Sequence, residues 1–222
     1  MTFILPVKHL KQQSNWDCGI TCLRMLIDYY HLDLSSFEYL LSSYECNEST
    51  WTIDLLHLLH QLNIHAILYT ITIGCSSTYN NTPYYQTLID KDRERVDKLF
   101  IKESSNVKLG SIDWLDLKKY LIEQRTPCLV LIDANKLECC TCKTTIFHQL
   151  IDKLVSKISS SYQGHYILVI GYITNENNDF IRYVDPGRND EFCTTTKENF
   201  DLARKAFGTD EDIILCYKKD TI

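Results

Sequence analysis

The chain has 222 residues, of which 45% are hydrophobic and 23% are charged. This composition is typical of a folded globular chain with a substantial core, so disorder is excluded for most of its length. The net charge is −6, and neither a basic excess nor a basic stripe is present, so we expect no nucleic-acid partner. No run of about 18 apolar residues occurs, which predicts that the chain does not span a membrane.

The first ten residues lack the basic start and long apolar stretch of a signal peptide, and Pro6 interrupts the short apolar run. We therefore expect the ten cysteines to be reduced thiols in the cytoplasm or nucleus. The question is then which of these thiols only pack and which carry out chemistry.

In chain order, hydrophobic periodicity and capping residues predict helices first and strands toward the end. We expect helices over residues 17–31, 50–62, 83–103, 112–123 and 147–158, and a last helix from the capping box of Thr195 and Glu198 to Gly208. Strands are predicted over residues 65–73, 128–132, 166–173, 180–184 and 213–217. This order predicts a single α+β domain over residues 1–222. Its helical part, at about 12–125, would pack on an antiparallel sheet at about 126–222, with a cleft where the two meet.

Several enzyme classes are excluded by missing motifs. The seven glycines contain no G-x-G pair, and no Walker loop, G-x-S-x-G or H-E-x-x-H motif is present. P-loop ATPases, Rossmann dehydrogenases, serine hydrolases and zinc proteases of those types are thereby excluded. A nucleotide site of another kind stays open.

Cys18 is the candidate nucleophile because of its place at the predicted start of a helix. Asp17 is the expected N-cap, so the thiol lies in the first turn, where the helix dipole and unpaired N–H groups favour the thiolate. Gly19 is expected to let backbone and substrate approach closely, and Cys22, one turn later, is expected to face the core. The alternative is that Cys18 is one more buried structural thiol.

His165 begins an apolar strand and Asp185 follows the next one. A polar turn at residues 174–178 separates these strands, so a hairpin places either Asp185 or Gly187 opposite His165, depending on where the turn is centred. With Asp185 opposite, the Cβ atoms are about 4.5–5.5 Å apart. The carboxylate can then bind one ring nitrogen and leave the other for a thiol. The alternatives are a strand-end histidine bonded to backbone, and an aspartate that only forms the turn before Pro186.

Together these motifs resemble the papain-like fold as bacteriocin-processing cysteine peptidases use it. They resemble more closely the guanylyl cyclase domain-containing protein family, which shares that fold. Four segments carry the resemblance: Trp16-Asp17-Cys18-Gly19, Asp92-x-x-Arg95-Val96, Tyr162-Gln163-Gly164-His165-Tyr166 and Asp185-Pro186-Gly187. The resemblance spans nearly the whole chain and is looser between residues 73 and 163.

The resemblance implies that Cys18 is the nucleophile, His165 the general base and Asp185 the residue that orients the histidine. Gln12 lies six residues before Cys18, the spacing at which papain-like enzymes place the glutamine of the oxyanion hole. With the backbone N–H of Cys18, its amide would stabilise an oxyanion by roughly 3–4 kcal/mol. Gln13 is expected at the surface. The implied chemistry requires no metal and no organic cofactor, and its substrate is expected to be a peptide or a protein.

Two further groups of residues suggest a metal site. Cys139 and Cys142 form one C-x-x-C, which is half of a structural zinc site; an exposed thiol loop is the favoured interpretation. His57 and His60 are possible ligands as well. Because Asp54, His57 and Gln61 share one face of an amphipathic helix, however, a solvated polar face is the preferred interpretation there.

The sequence therefore predicts a cysteine hydrolase, a peptidase or amidase. One alternative is a guanylyl cyclase-type nucleotide enzyme, as the family name implies, although GTP cyclisation normally needs two metal-binding carboxylates and a purine-reading site. The other alternative is a catalytically inactive binding module on a peptidase scaffold.

Overall fold

The computed structural model describes residues 1–44, 49–75, 83–141, 162–175 and 178–217, and in the helix that begins at Pro83 it describes side chains from Asp92 onward. The helices in these ranges are α1 (Cys18–Tyr29), α2 (Leu34–Ser43), α3 (Thr52–Gln61), α4 (Pro83–Lys102), α5 (Trp114–Gln124) and α6 (Lys197–Arg204). The strands are β1 (Thr2–Ile4), β2 (His65–Thr70), β3 (Val107–Leu109), β4 (Cys128–Asp133), β5 (Gly164–Thr174), β6 (Asp179–Val184), β7 (Cys193–Thr196) and β8 (Ile213–Tyr217). The helix predicted at 147–158 lies outside the described residues.

The eight strands form one sheet in the order β3-β2-β8-β4-β5-β6-β7, and β1 pairs with the far end of β5. Neighbouring strands run antiparallel except for β2 and β3, which are parallel. β1 meets β5 where Gly171 pairs with Ile4. A Cβ atom on Gly171 would lie 2.1 Å from the carbonyl oxygen of Phe3, so only glycine allows this crossing.

The structure is a mixed α+β fold, but helices and strands are not divided between the two parts of the chain as expected. Two strands, β2 and β3, lie within residues 12–125, the part predicted to be helical, and α6 lies in the part predicted to be sheet-rich. β2 joins the sheet because its side chains alternate between exposed and buried, the pattern of a strand with one covered face. It pairs with β8, the last described strand.

The most periodic predicted elements are confirmed, and their ends shift by a few residues. β8 has the predicted bounds. The last helix is capped by Thr196, whose side chain accepts from the backbone N–H of Asn199, rather than by Thr195, and it ends at Arg204 rather than Gly208. The sequence analysis did not identify α2, although Asp33 caps it by accepting from the N–H groups of Ser35 and Ser36.

The core lies between the sheet and the helices, and α1 is its central helix. α1 packs against β5 and α3, and its residues from Cys18 to Leu23 are buried. Cys22 is fully buried, and its thiol lies 3.6 Å from the carbonyl oxygen of Tyr166 on β5. This packing fixes the start of α1 against the start of β5.

Candidate functional site

Cys18 is the first residue of α1, and the aspartate before it does not cap the helix with its side chain. The Asp17 carboxylate instead accepts hydrogen bonds from the backbone N–H groups of Gln13, at 3.2 Å, and Ser14, at 2.9 Å. Asp17 therefore occupies the predicted N-cap position, but the side-chain cap expected there is wrong. Because the carboxylate closes the preceding loop, it leaves the first N–H groups of the helix without a side-chain acceptor.

Gly19 allows close packing inside the protein. A Cβ atom there would lie 2.8 Å from Leu55 Cδ1 and 3.0 Å from Tyr166 Cδ2. The glycine thus lets α1 approach both α3 and β5, which holds Cys18 at the edge of the sheet.

His165 is the second residue of β5, and Asp185 directly follows β6. The His165 Nε2 atom lies 2.7 Å from Asp185 Oδ1. The ladder pairs Leu168 with Val184, and continuing that register places Gly187 opposite His165. Gly187 is the partner predicted for the turn that is centred one residue later. A Cβ atom on Gly187 would lie 3.3 Å from His165 Cε1. Asp185 therefore contacts the imidazole from a position two residues before the residue opposite it.

Cys18 is the other residue that acts on the His165 ring, because its thiol contributes to the raised pKa of the imidazole. Asp185 contacts Nε2, so Nδ1 is the ring nitrogen that remains for the sulfur. Burial alone would lower the pKa of His165, but the hydrogen bonds to Asp185 and Cys18 outweigh it and raise the pKa to about 10. The imidazole is consequently charged at neutral pH.

The Asp185 carboxylate has several stabilising contacts although it is buried. Burial favours its neutral form, but the hydrogen bond to His165, the backbone N–H of Gly187 at 2.8 Å and the nearby Arg188 charge together lower its pKa. The backbone carbonyl of Asp185 also binds the His9 ring, at 3.1 Å. These contacts hold the carboxylate ionised and fixed beside His165.

Gln12 lies beside the same cluster. Its backbone N–H donates to the Pro186 carbonyl at 2.9 Å, and its Oε1 atom would lie 3.4 Å from a Cβ atom on Gly187. The side-chain Nε2 donates to the Ser14 carbonyl at 2.6 Å. One of the two amide hydrogens is therefore used inside the loop. Gln13 is exposed as expected.

Cys18 opens on a cleft with a volume of about 340 Å³. Its lining combines aromatic rings and carboxylates: Trp16, Trp51, Tyr162, Tyr166, Asp210 and Asp212. The two carboxylates are not among the site residues predicted from the sequence. Their only sequence signal is the acidic triplet at residues 210–212, directly before β8. Among the described residues that line the cleft, none is a lysine or an arginine.

Asp212 has the most unusual environment in this cleft. It is 9% exposed, and its Oδ1 atom has no hydrogen-bond partner within the part of the chain that the structure describes. Burial and the charge of Asp210 raise its pKa to about 8, against the opposing hydrogen bonds of Thr52 and Thr70. Thr52 in turn contacts the Tyr166 hydroxyl at 2.8 Å, so Asp212, Thr52 and Tyr166 form a continuous polar strip along the cleft.

Buried charges behind the cleft fix Trp51 in its wall. The indole Nε1 of Trp51 donates to Asp92 Oδ2 at 3.0 Å, and its backbone N–H donates to Asp54 Oδ2 at 2.8 Å. Arg95 bridges both acids, contacting Asp54 Oδ1 and, at 3.3 Å, Asp92 Oδ1. The sequence segment Asp92-x-x-Arg95 is thus a structural network that holds the cleft wall.

The solvated helix face predicted for Asp54 and His57 is wrong, because both residues are buried. His57 and His60 each place Nδ1 2.6 Å from one carboxylate oxygen of Glu103, a residue at the end of α4 that the sequence analysis had not connected with them. These contacts outweigh burial and lower the pKa of Glu103. The paired histidines therefore join α3 to the segment that follows α4.

The proposed zinc ligands receive no support within the described ranges. Cys139 is half-buried with its sulfur 3.4 Å from Thr141 Oγ1, and Cys142 lies outside the described residues. No group of three His, Cys, Asp or Glu side chains in the described ranges is arranged to hold a metal ion.

The fold and the site define a mixed α+β protein in which Cys18 lines a cleft and His165 contacts Asp185. The chain belongs to the guanylylate cyclase family, whose model matches residues 7–216. It is 30% identical over 214 residues to Guanylyl cyclase 1 of Arabidopsis thaliana, across 95% of this chain and 75% of that protein. No helix in the described ranges is long and apolar enough to cross a membrane.

Proposed function

We propose that this protein is a cysteine hydrolase with a papain-like arrangement of its site. The observation that carries the proposal is the 2.7 Å contact between His165 Nε2 and Asp185 Oδ1, with the Cys18 thiol acting on the same imidazole. Acyl transfer through a thiol requires three groups: a nucleophile, a proton carrier and a carboxylate that orients the carrier. A helix bearing the thiol, packed against an antiparallel strand bearing the histidine, is the arrangement that the papain-like expectation describes.

The reaction begins from a thiolate paired with the charged His165 imidazole. The Cys18 sulfur attacks a carbonyl carbon, and the C=O π electrons move to oxygen to give a tetrahedral oxyanion. His165 then gives its proton to the leaving amine as the C–N bond breaks, which leaves an acyl thioester on Cys18. Water attacks this thioester while His165 takes up its proton, and the sulfur departs as thiolate.

The open start of α1 supports the oxyanion step. The backbone N–H of Cys18, at the first position of α1, is the first donor to a negatively charged oxygen, and the second amide hydrogen of Gln12 is the other donor. Loss of one such donor typically lowers kcat by about 100-fold to 1000-fold. A scissile peptide, isopeptide or other amide bond all meet these requirements, and we infer a peptide or protein substrate.

Site-resolved labelling tests the proposal. Iodoacetamide at low molar excess, with mass-spectrometric assignment over the ten cysteines, is expected to modify Cys18 first. The His165→Gln variant is expected to slow this labelling at neutral pH by about tenfold or more, because the imidazolium no longer stabilises the thiolate. Cys22→Ala serves as the matched control and leaves labelling of Cys18 intact. Slow, unselective labelling of Cys18 would instead indicate a binding module without catalytic function.

A guanylyl cyclase is the second candidate, because the Arabidopsis relative carries that name and because Asp210 and Asp212 place two carboxylates in one cleft. Carboxylates are ligands for Mg²⁺ and Mn²⁺. The absence of lysine and arginine from the described cleft lining weighs against a triphosphate there. Cyclic GMP formation from GTP and Mn²⁺ that persists in Cys18→Ala and is lost in Asp212→Asn would favour the cyclase.

A further inference from the structure

The cleft beside Cys18 has the chemical lining of a site for an organic cation. We propose that it selects amide substrates that carry a protonated amine or a guanidinium group beside the scissile carbonyl. This inference rests on the proposed hydrolase function, because it places the reacting carbonyl at Cys18. Two observations carry it: the aromatic walls and the unsatisfied carboxyl oxygen of Asp212.

Four aromatic side chains, Trp16, Trp51, Tyr162 and Tyr166, line the cleft. Aromatic faces attract ammonium and guanidinium groups, and tryptophan does so most strongly. Trp51 is held by the hydrogen bond of its indole to Asp92.

Tyr162 is held by close contact with a glycine. A Cβ atom on Gly208, whose φ is +99°, would lie 2.9 Å from Tyr162 Cγ. The cleft is thus built with two of its rings fixed before any ligand binds, which lowers the entropy cost of binding.

Asp212 supplies the charge that such a cation needs. Its Oδ1 atom is buried without a partner among the described residues, although a buried carboxyl oxygen normally has one. Burial and Asp210 raise its pKa to about 8, so without a positive charge nearby the acid is largely neutral at pH 7. A cation bound in the cleft would favour the carboxylate over the neutral acid.

The rest of the described lining fits a cation and not an anion. Lysine and arginine are absent from it, while a second acid, Asp210, lies beside the first. An organic cation matches the four rings better than a divalent metal ion, because indole and phenyl faces are poor ligands for hard metals. An ammonium or guanidinium group can contact the aromatic rings through its charge and donate hydrogen bonds to the carboxylates, so it uses both parts of the lining.

The test compares two electrophiles that differ only in the cation. N-acetyl-lysine chloromethyl ketone and N-acetyl-norleucine chloromethyl ketone both alkylate a thiolate, which displaces chloride as the C–S bond forms, but only the first carries an ammonium group. We expect the lysine probe to label Cys18 of the full chain at least about tenfold faster than the norleucine probe. In Asp212→Asn the ratio of the two rates should fall below about threefold. Asp116→Asn, which removes one exposed charge on α5, should retain the wild-type ratio.

Each outcome has one meaning. Equal rates for the two probes at Cys18 of the wild-type chain, or a lysine preference that survives Asp212→Asn, would overturn the inference and leave the hydrolase proposal intact. Failure of both probes and of iodoacetamide to label Cys18 would overturn the hydrolase proposal itself. The wild-type ratio decides the question even if Asp212→Asn does not fold.

Discussion

Replacing Asp185 with asparagine tests how the charged state of His165 is maintained. In the folded protein the pKa of His165 is raised from its ordinary 6.5 to about 10. At about 1.4 kcal/mol per unit of pKa, the difference amounts to about 5 kcal/mol of preferential stabilisation of the imidazolium. Asp185 makes the larger contribution and Cys18 the smaller one. Burial, which acts in the opposite direction, remains in the variant.

We therefore expect Asp185→Asn to lower the pKa of His165 by at least about 2 units and the free energy of unfolding at pH 6 by about 2–3 kcal/mol. The sign of the pH dependence follows from the raised pKa. The stabilisation is fully present below the ordinary pKa of 6.5 and is lost as the pH rises through about 10. The stability of the wild-type chain should then approach that of the variant between pH 7 and pH 10.

Histidine side-chain NMR titration measures the pKa directly. The chain has seven histidines, so the His165→Gln variant assigns the signal, and urea unfolding at pH 6 and pH 10 measures the energies. Asp190→Asn, an exposed acid in the loop that follows Asp185, is the matched control and should change neither quantity. A wild-type His165 that titrates below pH 7, or a pKa unchanged by Asp185→Asn, would refute the reasoning.

Three further predictions concern the structure around the site. Arg95→Met should lower the free energy of unfolding by about 3–5 kcal/mol in urea titrations, because it leaves the fully buried Asp54 without its counter-charge. Glu103→Gln should destabilise the protein more at pH 7 than at pH 3.5, because the lowered pKa of Glu103 makes its contribution present above pH 4.5 and lost as the pH falls below that value. Gly171→Ala should detach β1 and raise hydrogen exchange at residues 2–5, since its Cβ would lie 2.1 Å from the Phe3 carbonyl oxygen.

The controls for these three variants are residues of similar chemistry that lie at exposed or uncrowded positions. Lys98→Met removes a charge from an exposed ion pair on α4, and it should cost less than about 1 kcal/mol. Glu94→Gln removes the other member of that pair. Because the pair is exposed, this variant should change the acid dependence of stability much less than Glu103→Gln does. Gly110→Ala places its Cβ in open space but strains the backbone, whose φ is +148° there. Because Gly110 follows β3, which does not pair with β5 or β1, β1 should stay protected from exchange. Large effects from these controls would contradict the explanations given for Arg95, Glu103 and Gly171.

The sequence predicted the positions that local chemistry controls. The first turn of α1 was placed because an acidic residue precedes a periodic apolar run, and β8 because it is short, apolar and β-branched. The hairpin pattern predicts the contact between His165 and Asp185. It does not decide whether Asp185 or Gly187 lies opposite His165. A shift in pairing between Val169 and Gly171 is a property of the assembled sheet, and nothing in the local sequence determines it.

The unpredicted features depend on contacts between distant segments. Asp54 and His57 were assigned to a solvated face because their helix is amphipathic, and they are buried because Arg95 and Glu103, more than 40 positions away, satisfy them. The cleft carboxylates were not identified because Asp212 joins the site only when β8 pairs between β2 and β4. The short strands β1, β3 and β7 were missed because each has four residues or fewer, which is too few to show a period of two.

The uncapped start of α1 has a consequence for engineering. A side-chain oxygen bound to the first N–H groups of a helix typically adds about 1 kcal/mol of stability, and Asp17 makes no such bond. A selection for heat resistance would therefore favour loop variants that turn an oxygen onto these groups. Such variants would place an electronegative oxygen within one turn of the Cys18 N–H, where it would repel a developing negative charge, so greater stability would come with slower turnover.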